Sequence, residues 1–190
     1  MSRLHLLRHL PAAGAEGRAI GRTDLPLADA AQAARLAEAW PHAVPRRLVA
    51  SPLARAQQTA AALGQAWDLP VETEPALTEV DFGDWDGQTW AEIEQTDGDA
   101  LAAWMAEWTT TPAPAGESFA DVQARVGTWL ESIDQAEETV AVAHAGSIRA
   151  VLVHVLGLEA AHAFRLVVTH GALTTVRLSP PELIILNRPL

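Results

Sequence analysis

The chain has 190 residues, 49% of them hydrophobic, no cysteine, and a formal net charge of −11. The lack of cysteine excludes disulfides, thiolate nucleophiles and Cys-based zinc sites, and it fits a reducing compartment. All 13 basic residues are arginine, and the acidic excess opposes nucleic acid and anionic membranes, so neither is an expected partner and an anionic ligand needs a local Arg and His cluster. The length suits one α/β domain over residues 1–190. The apolar run before Arg8, His9 and Pro11 is too short for a secretory segment and no window could span a bilayer, so a soluble, cytoplasmic protein is expected.

In chain order, Leu4 to Leu7 reads as a buried strand, followed by an irregular stretch from Pro11 to Pro26 that closes in GRTDLPL and suits a ligand loop. A helix is expected from Ala28 to Trp40, then a second strand from Leu48 to Ala50. Ser51-Pro52 has the form of an N-cap with proline at the first helical position, which puts Arg55 in the first turn of a helix running to Trp67. A short strand near Val71 to Glu74 leads to the loop of Glu79. Trp90 to Glu94 and Asp99 to Trp108 are helical in character, and a Pro, Thr and Gly-rich loop spans Thr109 to Gly116. Ser118 with Asp121 forms a capping box for an amphipathic helix to about Glu137. Val140 to Ala143 is a further buried strand ending at His144, and Gly146-Ser147 opens a helix to Leu156. Leu173 to Leu178 and Leu183 to Leu186 form a hairpin or edge pair. The alternation predicts an α/β fold, a mostly parallel sheet flanked by helices on both faces.

Three of these strands stop at polar residues: Arg8 and His9, Arg55 just beyond Ser51, and His144. Ligands of open α/β sheets bind outside the carboxyl ends of the strands, so the three ends point to one pocket suited to phosphate. His9 can act as a nucleophile on phosphorus, or be a structural histidine. Arg55, near a helix N-terminus, can hold phosphoryl oxygens in its planar fork or be an ordinary surface arginine. His144, in AHAGS, can donate to a developing charge or simply be buried. Among the acidic residues of LTEVDFGDWDG, Glu79, Asp81, Asp84 and Asp86 are all candidate proton donors to a leaving oxygen. Trp85, Trp90, Trp104 and Trp108 suit core packing or a pocket for a flat group. His5, His42, His154, His162 and His170 show no metal-ligand spacing and read as structural or exposed, so no metal or other cofactor is expected.

Together LLRH, GRTDLPL, SPLARAQQTA, LTEVDFGDWDG, GESFADVQARV and VAHAGSIRAVL resemble the histidine phosphatase superfamily, the phosphoglycerate-mutase-like branch, over nearly the whole chain. The resemblance implies that His9 is the phosphorylated nucleophile, that Arg8, Arg55 and His144 bind the phosphoryl group, and that Glu79 rather than its acidic neighbours is the proton donor. Within the branch the chain is most similar to alpha-ribazole phosphatases of cobalamin synthesis. It implies a metal-independent phosphomonoesterase acting on a small phosphate ester, with alpha-ribazole 5'-phosphate as substrate. The first motif departs from the family pattern: Leu10 replaces a glycine, and Ala12 and Ala15 stand where Thr and Asn are usual. Leu10 would strain or crowd the loop if the glycine takes a positive φ. These departures also open the alternative of a non-catalytic phospho-ligand binding or regulatory protein.

Overall fold

Alternating side chains along the central strands sort onto two faces of one sheet. In β1 (Leu4–Arg8), Leu4 and Leu6 join a core with Val122, Val126 and Ile148, whereas Leu7 joins a second core with Leu36, Ala60 and Leu63. β2 (Arg47–Ala50) and β4 (Thr139–Ala143) divide the same way: Val49, Ala141 and Ala143 face the first core, Leu48, Ala50, Val140 and Val142 the second. Both faces are therefore buried, as near-continuous apolar strands require. Helices α4 (Phe119–Ser132) and α5 (Ala145–Leu156) cover the first face, and α1 (Ala31–Glu38) and α2 (Ala54–Trp67) the second.

The computed structural model describes residues 3–134 and 136–190. Its sheet has six strands in the order β3-β2-β4-β1-β5-β6, with β3 at Val71–Thr73, β5 at Ala172–Arg177 and β6 at Glu182–Pro189. The pairs β3/β2, β2/β4 and β4/β1 are parallel, and β1/β5 and β5/β6 antiparallel. The expected α/β class, the mostly parallel sheet and the terminal edge pair are all present. Among the described residues no helix is long and apolar enough to cross a membrane.

Several element ends differ from expectation. α1 begins at Ala31 rather than Ala28, because the Asp29 carboxylate accepts the Ala31 N–H at 2.9 Å. α2 begins at Ala54 with Leu53 as its N-cap, so Ser51 is not the cap. Asp24, from the preceding loop, instead accepts the Ala54 N–H at 2.6 Å, leaving Ser51 for another partner. The runs Trp90 to Glu94 and Asp99 to Trp108 fall in one element, α3 (Trp90–Glu107), broken at Asp97, whose φ of −146° is not helical. α4 has the expected Ser118 and Asp121 capping box but ends at Ser132; Gln135, within the helix expected to reach Glu137, lies outside the described residues. His144 rather than Gly146-Ser147 starts α5, with Ser147 Oγ accepting the His144 N–H at 3.2 Å from the N3 position.

Candidate active site

β1 and β4 end side by side, and the His9 N–H continues their pairing to the Ala143 carbonyl at 3.0 Å. His9 and His144 are consequently neighbours, with ring centroids 4.8 Å apart. Both are buried, at 5% and 0% exposure. The His9 Nδ1 lies 2.6 Å from its neighbour's carbonyl, Leu10 O. A carbonyl only accepts, so the proton sits on Nδ1 and Nε2 keeps its lone pair. Burial pushes the pKa of His9 well below its ordinary value, and the charges of Arg55 and Arg8 add to this against the Leu10 hydrogen bond, so the ring is neutral.

His144 is likewise pushed well down, first by burial and then by His9, Arg55 and Arg8. Its Nε2 is 2.7 Å from Ser51 Oγ, the partner released by the start of α2 at Ala54. Ser51 Oγ also accepts the Leu53 N–H at 3.4 Å. In the tautomer where Ser51 donates to Nε2, the imidazole proton is on Nδ1, which has no other partner among the described residues.

Arg55, 1% exposed, spans two carbonyls of the Pro11 to Pro26 loop: Nη1 donates to Thr23 O at 2.9 Å and Nη2 to Gly21 O at 2.7 Å. Arg8 Nη1 donates to Val168 O at 2.6 Å. Burial lowers both arginine pKa values while Glu79 opposes the shift, so the two cations and this carboxylate share one electrostatic environment. Glu79 Oε1 accepts two backbone N–H groups, from Val80 at 3.0 Å and from Gly146 in the first turn of α5 at 2.9 Å. The loop of Glu79 is braced from behind by Arg125, which pairs with Glu117 through Nε at 2.8 Å and Nη2 at 3.0 Å and donates to the carbonyls of Ala76 and Glu79.

Arg8, His9, Arg55 and Glu79 line one cavity of about 270 Å³, which also has Arg18, Arg149 and His170 on its wall, with Ile20, Phe82, Trp90 and Phe164 as its apolar part. His144 is fully buried and does not line the cavity itself, but its ring packs against that of His9. Four arginines against one carboxylate make this a positive pocket in a protein of charge −11. Among the described residues no group of three or more His, Asp or Glu side chains is arranged to hold a metal ion.

One site expectation needs correction, that for Leu10, and one residue, His170, gains a place at the pocket. His170, expected to be structural or exposed, is exposed, and it stands on the pocket wall with its ring 5.1 Å from that of His9. Its place at the crevice follows from β5 running antiparallel to β1, a pairing the histidine spacing could not reveal. Leu10 does not strain its loop, since the non-glycine residues of positive φ among those described are Asp68, Ala115 and Asn187. Its side chain points away from the pocket into the core with Leu7, Leu27 and Leu36, and its N–H goes to Thr59 Oγ1 at 3.2 Å. Ala12 and Ala15 do line the pocket. Of the tryptophans, Trp90 reaches the pocket, Trp104 stacks on it at 6.1 Å, and Trp85 is buried with its indole N–H donated to Asp97 at 2.9 Å.

The family model described as histidine phosphatase superfamily (branch 1) matches residues 4–187. The chain belongs to the histidine phosphatase superfamily. A relative within this superfamily, the adenosylcobalamin/alpha-ribazole phosphatase of Salmonella typhimurium, is 28% identical over 92% of this chain and 89% of its own. The glucosyl-3-phosphoglycerate phosphatase of Mycolicibacterium vanbaalenii is 34% identical over 82% of this chain and 75% of its own. The crystal structure of the alpha-ribazole phosphatase from Shigella flexneri superposes with a TM-score of 0.89 at 26% identity, over 97% of this chain and 96% of that one. The chain spans only 29% of the length of a bifunctional protein of Mycobacterium tuberculosis, which it matches at 34% identity. The names of the Salmonella and Shigella proteins specify an alpha-ribazole phosphatase and that of the Mycolicibacterium protein a glucosyl-3-phosphoglycerate phosphatase, so these relatives are phosphatases of different substrates.

Proposed function

We propose that the protein is a metal-independent phosphomonoesterase that works through a phosphohistidine on His9. The observation that carries this reading is the tautomer of His9: with Nδ1–H tied to the Leu10 carbonyl, the lone pair of Nε2 is the free one, on a neutral ring between Arg8 and Arg55. In the first step Nε2 attacks phosphorus and the ester P–O bond breaks, with Glu79, which must be in its protonated form for this step, giving its proton to the departing oxygen. Arg8, Arg55 and the Nδ1–H of His144 stabilise the charge on the phosphoryl oxygens. In the second step Glu79, now a carboxylate, takes a proton from water, whose oxygen attacks phosphorus; the N–P bond breaks, Nε2 recovers its lone pair, and inorganic phosphate leaves.

Alpha-ribazole 5'-phosphate is the substrate we propose. The likeness to alpha-ribazole phosphatases over nearly the full chain supports it, and the wall of Phe82, Trp90 and Phe164 suits a flat aromatic base. Kinetics on this ester beside glucosyl-3-phosphoglycerate test the choice: kcat/KM higher for the second ester would overturn it. Activity unchanged by EDTA is expected; loss restored by a divalent ion would make the reaction metal-dependent. A phosphate-binding protein without turnover would show saturable phosphate binding and no hydrolysis of either ester.

A further inference from the structure

We propose that His170 donates a hydrogen bond to the phosphoryl group that His9 attacks, as a third imidazole of the site. The sheet topology places it there. β4, β1 and β5 are adjacent; β4 and β1 end at the crevice, and β5, being antiparallel to β1, begins there. Each strand therefore delivers one histidine to the same edge: His144 just after β4, His9 just after β1, His170 just before β5. The rings of His144 and His170 stand 4.8 and 5.1 Å from that of His9, from the two neighbouring strands.

The segment bearing His170 is pinned. Arg8 holds it twice, with its Nη1 on Val168 O at 2.6 Å and its own carbonyl accepting the Gly171 N–H at 3.0 Å. Asn187 Oδ1 accepts the N–H of Thr169 at 2.7 Å and its hydroxyl at 2.9 Å. Gly171 turns the chain at φ +69°, where a Cβ would also meet Leu10 Cδ2 at 3.1 Å, so an L side chain there is disfavoured twice. His170 is itself exposed, so the anchoring acts on the segment that presents it to the pocket.

The imidazole itself is uncommitted: among the described residues His170 makes no hydrogen bond, and its one ring contact is with His9. It lines the pocket with Arg8 and Arg55, as do the small residues Ala12 and Ala15, which offer no side-chain donor. Partial burial and the charges of those two arginines hold its pKa to about 4, so it enters the reaction neutral, with one N–H to give. A phosphoryl dianion between the arginines offsets their charge and favours that donation.

This inference rests on the phosphatase reading of the pocket, but its test needs no turnover. Calorimetric titration of the whole protein with inorganic phosphate, and separately with vanadate, should give Kd values about 10- to 100-fold weaker for His170→Ala than for wild type. His170→Asn or His170→Gln, which restore an N–H, should recover part of the loss, with thermal unfolding midpoints unchanged. In kinetics the loss of kcat/KM should be the same for every leaving group. Unchanged phosphate and vanadate affinity in His170→Ala, or an affinity loss that merely tracks a lowered midpoint in all three variants, would overturn it. A loss of kcat/KM confined to particular leaving groups would overturn it too, placing His170 on the leaving group. Absence of phosphohistidine on His9 would overturn the mechanism above and leave these affinities to be read independently.

Discussion

Gly146 holds the carboxylate of Glu79 in a space that no side chain can share: its N–H reaches Glu79 Oε1 at 2.9 Å, and a Cβ on Gly146 would lie 2.3 Å from the same oxygen. The first turn of α5 thus fixes where the proposed proton donor sits.

Gly146→Ala is expected to push Glu79 out of line without removing any ionisable group. An alkyl alkoxide needs a proton as it leaves whereas p-nitrophenolate hardly does, so kcat/KM should fall about tenfold or more on alkyl phosphates and much less on p-nitrophenyl phosphate. Glu79→Gln should show the same selectivity, more strongly. Steady-state kinetics on the two ester classes check this; equal losses on both would remove Glu79 from the leaving-group side.

The first-motif departures lead to opposite expectations for two neighbouring positions. Leu10 is 6% exposed and packs in the core beside Leu36, so Leu10→Gly should cost roughly 2–5 kcal/mol of stability and give no gain in turnover. Ala15 lines the pocket, so Ala15→Asn should add a hydrogen bond to the phosphoryl group and raise kcat/KM on small esters by about tenfold. Denaturant melts and kinetics of the single variants separate the two effects. A Leu10→Gly protein of wild-type stability and higher activity would return Leu10 to the substrate.

Much of this site is legible in the sequence because each element ends where its apolar run ends. Val140 to Ala143 is uninterrupted by polar residues and Leu4 to Leu7 is broken only by the buried His5, and the first charged or imidazole group after each run is a pocket residue or its direct neighbour. Ser51 was harder to read: Ser-Pro before a helix satisfies the local rule for a cap, but Asp24, about thirty residues earlier, takes that role and frees Ser51 for His144. His170 was illegible for a different reason, since its position depends on the direction of β5, which no local pattern encodes. Arg18 and Arg149 reach the pocket from a loop and a helix face with nothing in their spacing to mark them. Leu10 shows the converse, a motif departure that the core absorbs.

Acid should weaken the fold through His5, away from the pocket. It is 1% exposed, its Nδ1 pairs with Thr175 Oγ1 at 3.0 Å, and burial, with help from His42 and Arg3, lowers its pKa to about 4. The unfolded chain takes up that proton near the ordinary value of about 6.5. Between those two values the unfolded state binds more protons, so the contribution of His5 is intact above pH 6.5 and declines as pH falls toward 4, by roughly 3 kcal/mol at most. Urea melts at several pH values should show the decline, and His5→Gln, which cannot titrate, should flatten it. An identical slope in that variant would assign the acid sensitivity to other groups.

The central claim is that phosphorus is carried on His9, and trapping the enzyme during turnover tests it most directly. Quenching wild-type protein in the steady state with ³²P-labelled ester should give acid-labile, base-stable label that maps to His9 alone, and His9→Ala should be unlabelled and inactive. Label on another residue, no label while hydrolysis is under way, or full activity in His9→Ala would contradict the account.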